Sequence, residues 1–119
     1  MGDLAVSPSL MGVVTLPPEV DLATAPAIRN QIESSLERGA IHVVVDSTAV
    51  TFMDSSGINA LVRAKERAER SGGSLHVVAT GRTVLRLLAV SQLDQVFAVV
   101  TTVEAAARCV SDPGTIHSC

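Results

Sequence analysis

The fold of this chain is decided by the stretch IHVVVD, residues 41–46, together with SSGINALVRAKERAERS, residues 55–71. The first stretch contains a continuous apolar run, which is typical of a strand buried on both faces. The second repeats apolar residues at helical spacing, and these inward-facing residues are Ile58, Leu61, Val62 and Ala68. Gly72-Gly73 ends this helix, and the apolar residues 75–79 then predict another buried strand.

The alternation of strand and helix extends towards the N-terminus. Residues 13–16 are rich in β-branched side chains, which predicts a short strand. Residues 24–38 return to helical spacing, with Thr24 and Pro26 as the starting signals and Gly39 as the end. We expect the opening stretch before this helix to pair antiparallel at an edge of the sheet.

The alternation also extends towards the C-terminus. Thr80 is predicted to cap a short helix, residues 96–100 to form a last strand, and Thr102 to cap a closing helix. Strands and helices that alternate in this way predict an α/β fold with a largely parallel sheet. Residues 112–119 are polar and contain proline and glycine, so we expect one domain at residues 1–111 followed by a flexible tail.

Composition excludes several classes of function. The chain has 119 residues, 47% of them hydrophobic, and its 9 Lys plus Arg against 12 Asp plus Glu give a net charge of −3. This balance does not favour binding to nucleic acid, and two phenylalanines as the only aromatic residues do not build a base-stacking surface. No apolar run approaches the roughly 20 residues that span a bilayer, so we expect no membrane partner. Asp3 also stands where a signal peptide would be basic, so we expect a cytoplasmic protein.

The segment TFMDSSGI, residues 51–58, joins the first buried strand to the long helix. Ligands and partners of α/β proteins meet the carboxyl ends of strands, where this segment lies. Asp54 and Ser55 are good N-cap residues, so Ser56 is expected in the first helical turn with an exposed hydroxyl. Free amides at a helix N-terminus can accommodate an anion, including a phosphate on Ser56. On residue chemistry alone, an ordinary polar cap with a tight turn is the favoured interpretation of the segment.

This segment resembles a known family. MDSSGI, residues 53–58, after a valine-rich strand that ends in aspartate, is similar to the signature of the STAS domain, and in particular of bacterial anti-sigma factor antagonists. The chain departs from the family at Pro17-Pro18, where glycine usually stands. The resemblance covers residues 10–110, and other parts agree in order and spacing: Glu19-Val20-Asp21 before Ala23-Thr24-Ala25-Pro26, Gly72-Gly73 before residues 75–78, and Val84-Leu85-Arg86-Leu87-Leu88 before Leu93.

The resemblance implies both a fold and a function. The fold is a STAS-like mixed, mostly parallel sheet of four to five strands with about four helices. Members of the family bind an anti-sigma factor that has serine kinase activity, which releases the sigma factor. The kinase phosphorylates a serine of the motif and so ends binding, and a serine phosphatase restores the unmodified form. By position this serine is Ser56, and the resemblance implies a non-enzymatic, partner-switching regulator of bacterial stress responses without a cofactor.

The resemblance also implies a partner-binding surface at the start of the long helix and in the loop at residues 20–24. Its residues are Asp21, Thr24, Met53, Asp54, Ser55, Ser56, Gly57 and Ile58. A phosphate adds about −1.5 to −2 charges, and Asp54 and Asp21 are already negative. We therefore expect repulsion and bulk to release the partner. The competing interpretation is a STAS scaffold or ligand-sensing module that uses this surface without phosphorylation.

A receiver domain phosphorylated on aspartate is a second alternative of similar size. Asp21, Asp46 and Asp54 lie near predicted strand ends, where an acidic cluster could hold Mg²⁺. A receiver also needs a lysine after its last strand, whereas the one lysine here, Lys65, lies in a helix. Asp46 is better explained as a turn residue at a strand end, so we expect no metal site.

A hydrolase is a third alternative, because Ser56 could act with a histidine and an acid. His42 and His76 lie within predicted strands, however, and the chain has no Gly-x-Ser-x-Gly elbow. We therefore expect no catalytic residues.

The two cysteines, Cys109 and Cys119, are too few for a disulfide framework. They could form a redox-controlled disulfide across the tail, although cytosolic thiols are commonly reduced.

Overall fold

A computed structural model of the chain describes residues 11–111, and residues 1–10 and 112–119 lie outside the described part. The strands are β1 (Met11–Thr15), β2 (Glu19–Val20), β3 (His42–Asp46), β4 (Phe52–Met53), β5 (Ser74–Val78) and β6 (Ala98–Val100). The helices are α1 (Ala25–Glu37), α2 (Ser55–Arg70), α3 (Arg82–Val90) and α4 (Val103–Ser111), with a short 3-10 helix at Leu93–Gln95.

The main sheet has the strand order β1-β3-β5-β6, and each neighbouring pair is parallel. This confirms the predicted α/β class with a mostly parallel sheet. The expected antiparallel pairing is wrong for the part of the opening stretch that the structure describes, because β1 pairs parallel with β3. The reason is that α1 connects these two strands, and a helical crossover returns the chain in the same direction.

The two faces of the sheet are covered unequally. Helices α1, α2 and α3 pack on one face, where Val43, Val45 and Val77 join the larger apolar cluster. Helix α4 covers the other face, where Ala106 packs against Val44 and Val78. The three valines of β3 are 0% exposed, which confirms that this strand is buried on both faces.

Glycine ends the first two helices, as predicted. Gly39 has φ 105° just after α1, and Gly72 has φ 84° just after α2. Both angles lie in the left-handed region, which glycine adopts without steric cost.

Of the three threonines predicted to start helices, one caps its helix with its side chain and two do not. Thr102 does cap α4, since its hydroxyl accepts from the Ala105 amide at 3.0 Å. Thr80 is not the cap of α3, because Gly81 occupies that position. Thr24 stands at the start of α1, but its side chain caps none of the helix amides. Its hydroxyl instead accepts from the Asp21 amide in the preceding loop.

His76 is a buried histidine on the face of β5 that α4 covers, with only 7% of its surface exposed. Burial lowers its pKa below 6.5, and the nearby His42 lowers the pKa further. The neutral imidazole is therefore the form that suits the folded state.

Folding stability is expected to fall as pH drops below 6.5. The unfolded chain binds a proton at His76 near pH 6.5, whereas the folded chain resists it to lower pH, so acid favours unfolding. The contribution is fully present above pH 6.5 and is lost as pH falls towards the lowered pKa. Urea unfolding at pH 7.5 and pH 5.5 measures the difference. His76→Met should flatten this dependence, and an NMR titration of His76 at or above pH 6.5 would contradict it.

Candidate functional site

The site is built on β2 and β4, two short parallel strands that pair apart from the main sheet. Val20 and Met53 are register partners at their carboxyl ends. The Val20 carbonyl accepts from the Asp54 amide at 3.1 Å, which extends the pairing to the start of α2. The residues that follow the two strands, Asp21 and Asp54, therefore lie at the same edge.

Asp54 is the N-cap of α2 and controls the amides of its first turn. Its Oδ1 accepts from the Ser56 amide at 2.8 Å. Its carbonyl accepts from the amides of Gly57 at 3.1 Å and Ile58 at 3.3 Å. The predicted cap is thus present. The amides of Ser56, Gly57 and Ile58 already have acceptors within the protein and are not available to bind an anion.

The two serines of the motif lie in different environments. Ser55 is exposed, whereas Ser56 is half-buried rather than fully exposed as expected. No described residue hydrogen-bonds the Ser56 hydroxyl. Within residues 11–111, the one fully buried side-chain polar atom without a partner is His76 Nδ1, so the unbonded Ser56 Oγ is not fully buried. The Ser56 hydroxyl is therefore a reachable nucleophile in a partly enclosed position.

Asp21 and Thr24 tie the loop between β2 and α1 into one conformation. Asp21 Oδ1 accepts from the amides of Ala23 at 3.0 Å and Thr24 at 3.1 Å. Thr24 Oγ1 accepts from the Asp21 amide at 2.9 Å and donates to the Glu19 carbonyl at 3.1 Å. Both residues stand in the predicted place, and their side chains order the loop beside the start of α2.

Gly57 lets α2 start close to the paired strands. A Cβ on Gly57 would lie 2.6 Å from Val20 Cγ1 and 2.7 Å from Met53 Cγ. These side chains are 1% and 6% exposed and belong to the packed core of the fold. The absence of a side chain at this position therefore sets the distance between the Ser56 turn and the β2–β4 pair.

Gly57→Ala is expected to destabilise the protein by about 1–2 kcal/mol, although the same change in an open helix stabilises by roughly 0.5–1 kcal/mol. Overpacking against Val20 and Met53 outweighs the gain in helix propensity. Chemical denaturation measures the effect. The double variant Gly57→Ala with Val20→Ala should recover part of the overpacking cost, because it makes room for the new methyl group. A stabilised Gly57→Ala variant would contradict the packing argument.

Comparison with known proteins places this arrangement in a family. The STAS domain family model matches residues 3–106. The chain belongs to the STAS domain family. An anti-sigma F factor antagonist from Paenibacillus polymyxa is 30% identical over 82 residues, which cover 68% of this chain and 70% of that protein.

Solved structures of STAS proteins have the same architecture. The crystal structure of an anti-sigma factor antagonist from Mycobacterium paratuberculosis has a TM-score of 0.77 at 29% identity and covers 90% of this chain and 91% of that one. The Bacillus cell fate determinant SpoIIAA in its phosphorylated form has a TM-score of 0.67 at 22% identity, with coverage of 87% and 93%. At 22% identity, the similarity to SpoIIAA shows a shared fold and nothing more.

A groove on α3 adjoins the motif of this STAS domain, and the sequence interpretation missed it. Met53 forms part of its lining with Arg82, Arg86 and Val90, around a volume of about 400 Å³. Within residues 11–111 neither arginine forms an ion pair. The spacing of residues 82, 86 and 90, one helical turn apart, is the signal that could have revealed this face.

Two apolar side chains are exposed near the same edge. Leu22, in the loop after β2, is 76% exposed, and Phe52, on β4, is 50% exposed. Large exposed apolar side chains beside a polar motif are a common feature of protein-binding surfaces. Leu22 lies in the loop at residues 20–24 that the resemblance implied for the surface, and Phe52 precedes Met53 of the same surface.

The geometry does not favour the alternative chemistries. Asp46 Oδ1 accepts from the Thr48 amide at 3.0 Å and from its hydroxyl at 2.7 Å, the turn role that was expected. Among residues 11–111, no group of three or more His, Cys, Asp or Glu side chains is arranged to hold a metal. His42 is bonded to Ser74 at 2.9 Å and starts β3, at the opposite end of the sheet from Ser56.

The cysteine prediction falls only partly within the described residues. Cys109 is half-buried on α4 and is not a free thiol. Cys119 lies outside the described residues, so redox control stays a prediction. No helix within residues 11–111 has the length and apolar character needed to cross a bilayer.

Proposed function

We propose that this chain is an anti-sigma factor antagonist that binds an anti-sigma factor with serine kinase activity and thereby releases a sigma factor in the cytoplasm. Phosphorylation of Ser56 by that kinase ends binding, and a serine phosphatase restores it. The observation that carries the proposal is the unbonded Ser56 hydroxyl in the first turn of α2. The Paenibacillus relative named as an anti-sigma F factor antagonist supports the choice of partner.

The proposed partner surface combines the start of α2 with the loop after β2. It comprises Asp21, Thr24, Met53, Asp54, Ser55, Ser56, Gly57 and Ile58, and the exposed Leu22 and Phe52 flank it. The hydrogen bonds of Asp21 and Thr24 fix the loop before any partner arrives. A surface that is already ordered loses little conformational entropy on binding, which favours capture.

The bonding of Asp54 supports release by charge. A helix N-terminus normally attracts a phosphate, but the Asp54 carboxylate already accepts the Ser56 amide. A phosphate on Ser56 would bring about −1.5 to −2 charges beside this carboxylate. The modified serine would therefore turn outward, towards the partner, because the Ser56 amide is not available to bind its phosphate.

Affinity capture from the producing cells tests this function, with the wild-type chain and Ser56→Ala as baits and mass spectrometry of baits and partners. The expected result is an ATP-binding anti-sigma factor bound to both baits, and acid-stable phosphate on Ser56 of the wild type alone. Capture of the same partner without any phosphate on Ser56 would indicate the scaffold or sensor alternative. Acid-labile phosphate on Asp54 or Asp46 would indicate a receiver-like protein.

A further inference from the structure

A cavity of about 430 Å³ lies beside the first residues of β3 and β5, at the opposite end of the sheet from Ser56. Its apolar lining includes Leu75, Val96, Ala98 and Val110. Val96 is 46% exposed, so part of this apolar wall faces solvent. Covering such a wall with another apolar side chain is favourable, because it removes apolar surface from water.

Cys109 connects this cavity to the end of the chain. It lies on α4, forms part of the cavity lining, and takes part in a disulfide. The chain has two cysteines, so the partner that a single molecule offers Cys109 is Cys119, the last residue of the sequence. A bond between these two residues returns the end of the chain to the wall of the cavity.

The sequence of the tail, residues 112–119, suits this return. Asp112-Pro113-Gly114 is a turn signature, because proline presets the backbone at one central position of a turn and glycine tolerates the left-handed region at the next. The five residues after this signature span roughly 16 Å when extended, which is enough to run back past the last turn of α4. Ile116 is the one large apolar residue of the tail, so it is the side chain suited to cover the apolar wall.

We propose that the C-terminal tail closes this cavity under oxidising conditions, held by a disulfide between Cys109 and Cys119, with Ile116 against the apolar lining. The two thiols exchange with a disulfide oxidant such as oxidised glutathione. The sulfur–sulfur bond of the oxidant breaks, the bond between the two cysteines forms, and two molecules of reduced glutathione leave with the two thiol protons. Reduction reverses this step and opens the cavity. The site is separate from the Ser56 surface and does not depend on the proposed function.

Packing of the tail and formation of the disulfide support each other. A disulfide stabilises a fold by restricting the unfolded chain, and this gain is lost when the closed loop is equally free in the folded protein. A tail that is packed through Ile116 keeps the gain, whereas a tail that is attached only at Cys109 does not. The oxidised chain should therefore melt roughly 5 °C or more above the Cys119→Ser variant.

Intact-mass analysis and NMR of the ¹⁵N-labelled full chain in glutathione buffers test the proposal. Oxidised glutathione should give a monomer about 2 Da lighter than the reduced chain, with no thiol left for alkylation. The amide signals of Leu75 and Val96, which line the cavity away from α4, should shift between the two redox states, and the signal of Ser56 should not. Cys119→Ser should show neither the mass change nor the shifts.

Two variants of the tail separate packing in the cavity from cross-linking alone. Ile116→Thr keeps the branched side chain but shortens its apolar part, and it should lower the equilibrium constant for disulfide formation with glutathione at least about threefold. Thr115→Ser removes a methyl group one position earlier and should leave this constant within about twofold. A disulfide-linked dimer, equal effects of the two variants, or a disulfide that forms without shifts at Leu75 and Val96 would each overturn the proposal.

Discussion

Ser56→Glu is expected to weaken binding of the anti-sigma factor by about a hundredfold, whereas Ser55→Glu should leave it within about threefold. Ser56 is half-buried at the helix start, and Ser55 is exposed beside it. A charge at position 56 is held within the proposed contact, where water cannot surround it once the partner is bound. Like charges and unpaired charges that are desolvated in an interface cost several kcal/mol. The exposed position 55 lies at the rim of the proposed surface, where water still surrounds a charge in the complex, so a charge there costs little.

The cap of α2 decides the size of this effect. At an uncapped N-terminus, backbone amides would stabilise the new carboxylate. Here the Ser56 amide donates to Asp54 Oδ1, and the Gly57 and Ile58 amides donate to the Asp54 carbonyl. The glutamate therefore finds the amides of Ser56, Gly57 and Ile58 already bonded, and its charge is poorly compensated against the partner.

Ser56→Gln is the matched control, since glutamine has the shape of glutamate without the charge. Titration calorimetry with the captured anti-sigma factor should give an order of affinity of wild type, then Ser56→Gln, then Ser56→Glu. Equal losses for glutamine and glutamate would show that bulk, not charge, ends binding. An equal loss for Ser55→Glu would show that the contact is not centred on Ser56.

Gly73→Ala is expected to destabilise the fold by about 3–4 kcal/mol, the largest effect of a glycine-to-alanine change among the glycines of residues 11–111. A Cβ at this position would lie 1.5 Å from the carbonyl oxygen of Ile41 and 2.3 Å from its carbon. Those atoms are backbone at the entrance to β3, so no change of rotamer relieves the clash. The start of β5 would have to move away from β3, which would break the 3.0 Å bond from the Ser74 amide to the Ile41 carbonyl.

Gly81→Ala is the control for the general effect of replacing a glycine. Nothing lies within 4 Å of a Cβ at Gly81, so its cost should stay below about 1 kcal/mol. Urea unfolding of both variants measures the difference. Thermal melts should show a Tm loss of roughly 10–20 °C for Gly73→Ala. Similar stability of the two variants would contradict the close approach of β5 to Ile41.

The sequence predicted the elements that build the site with good accuracy. The helix expected at residues 55–71 is Ser55–Arg70, and the strand expected at residues 41–46 is His42–Asp46. Local apolar spacing determines both, because a helix and a doubly buried strand leave different periods in the chain. The cap by Asp54 was also predictable, since it links residues that are neighbours in sequence.

Other features of the structure leave no comparable pattern in the amino-acid sequence. The β2–β4 pair has two residues per strand, too few for any period to emerge. Thr24 was expected to cap α1, yet its hydroxyl bonds the Asp21 amide, because the loop after β2 turns back onto it. The orphaned His76 nitrogen depends on the residues that surround β5 in three dimensions, and a histidine in a strand does not reveal them.

The sequence by itself determined the alternation of strands and helices, the burial of β3 and the serine at the start of α2, because each follows from residues a few positions apart. Only the tertiary structure decided that β1 runs parallel to β3, that Gly57 packs against Val20, and that the amides of the Ser56 turn are already bonded. The first two depend on segments that lie far apart in sequence and meet only once the sheet has formed. The third depends on which of several possible acceptors lies in reach of each amide, and this is a matter of distance rather than of sequence.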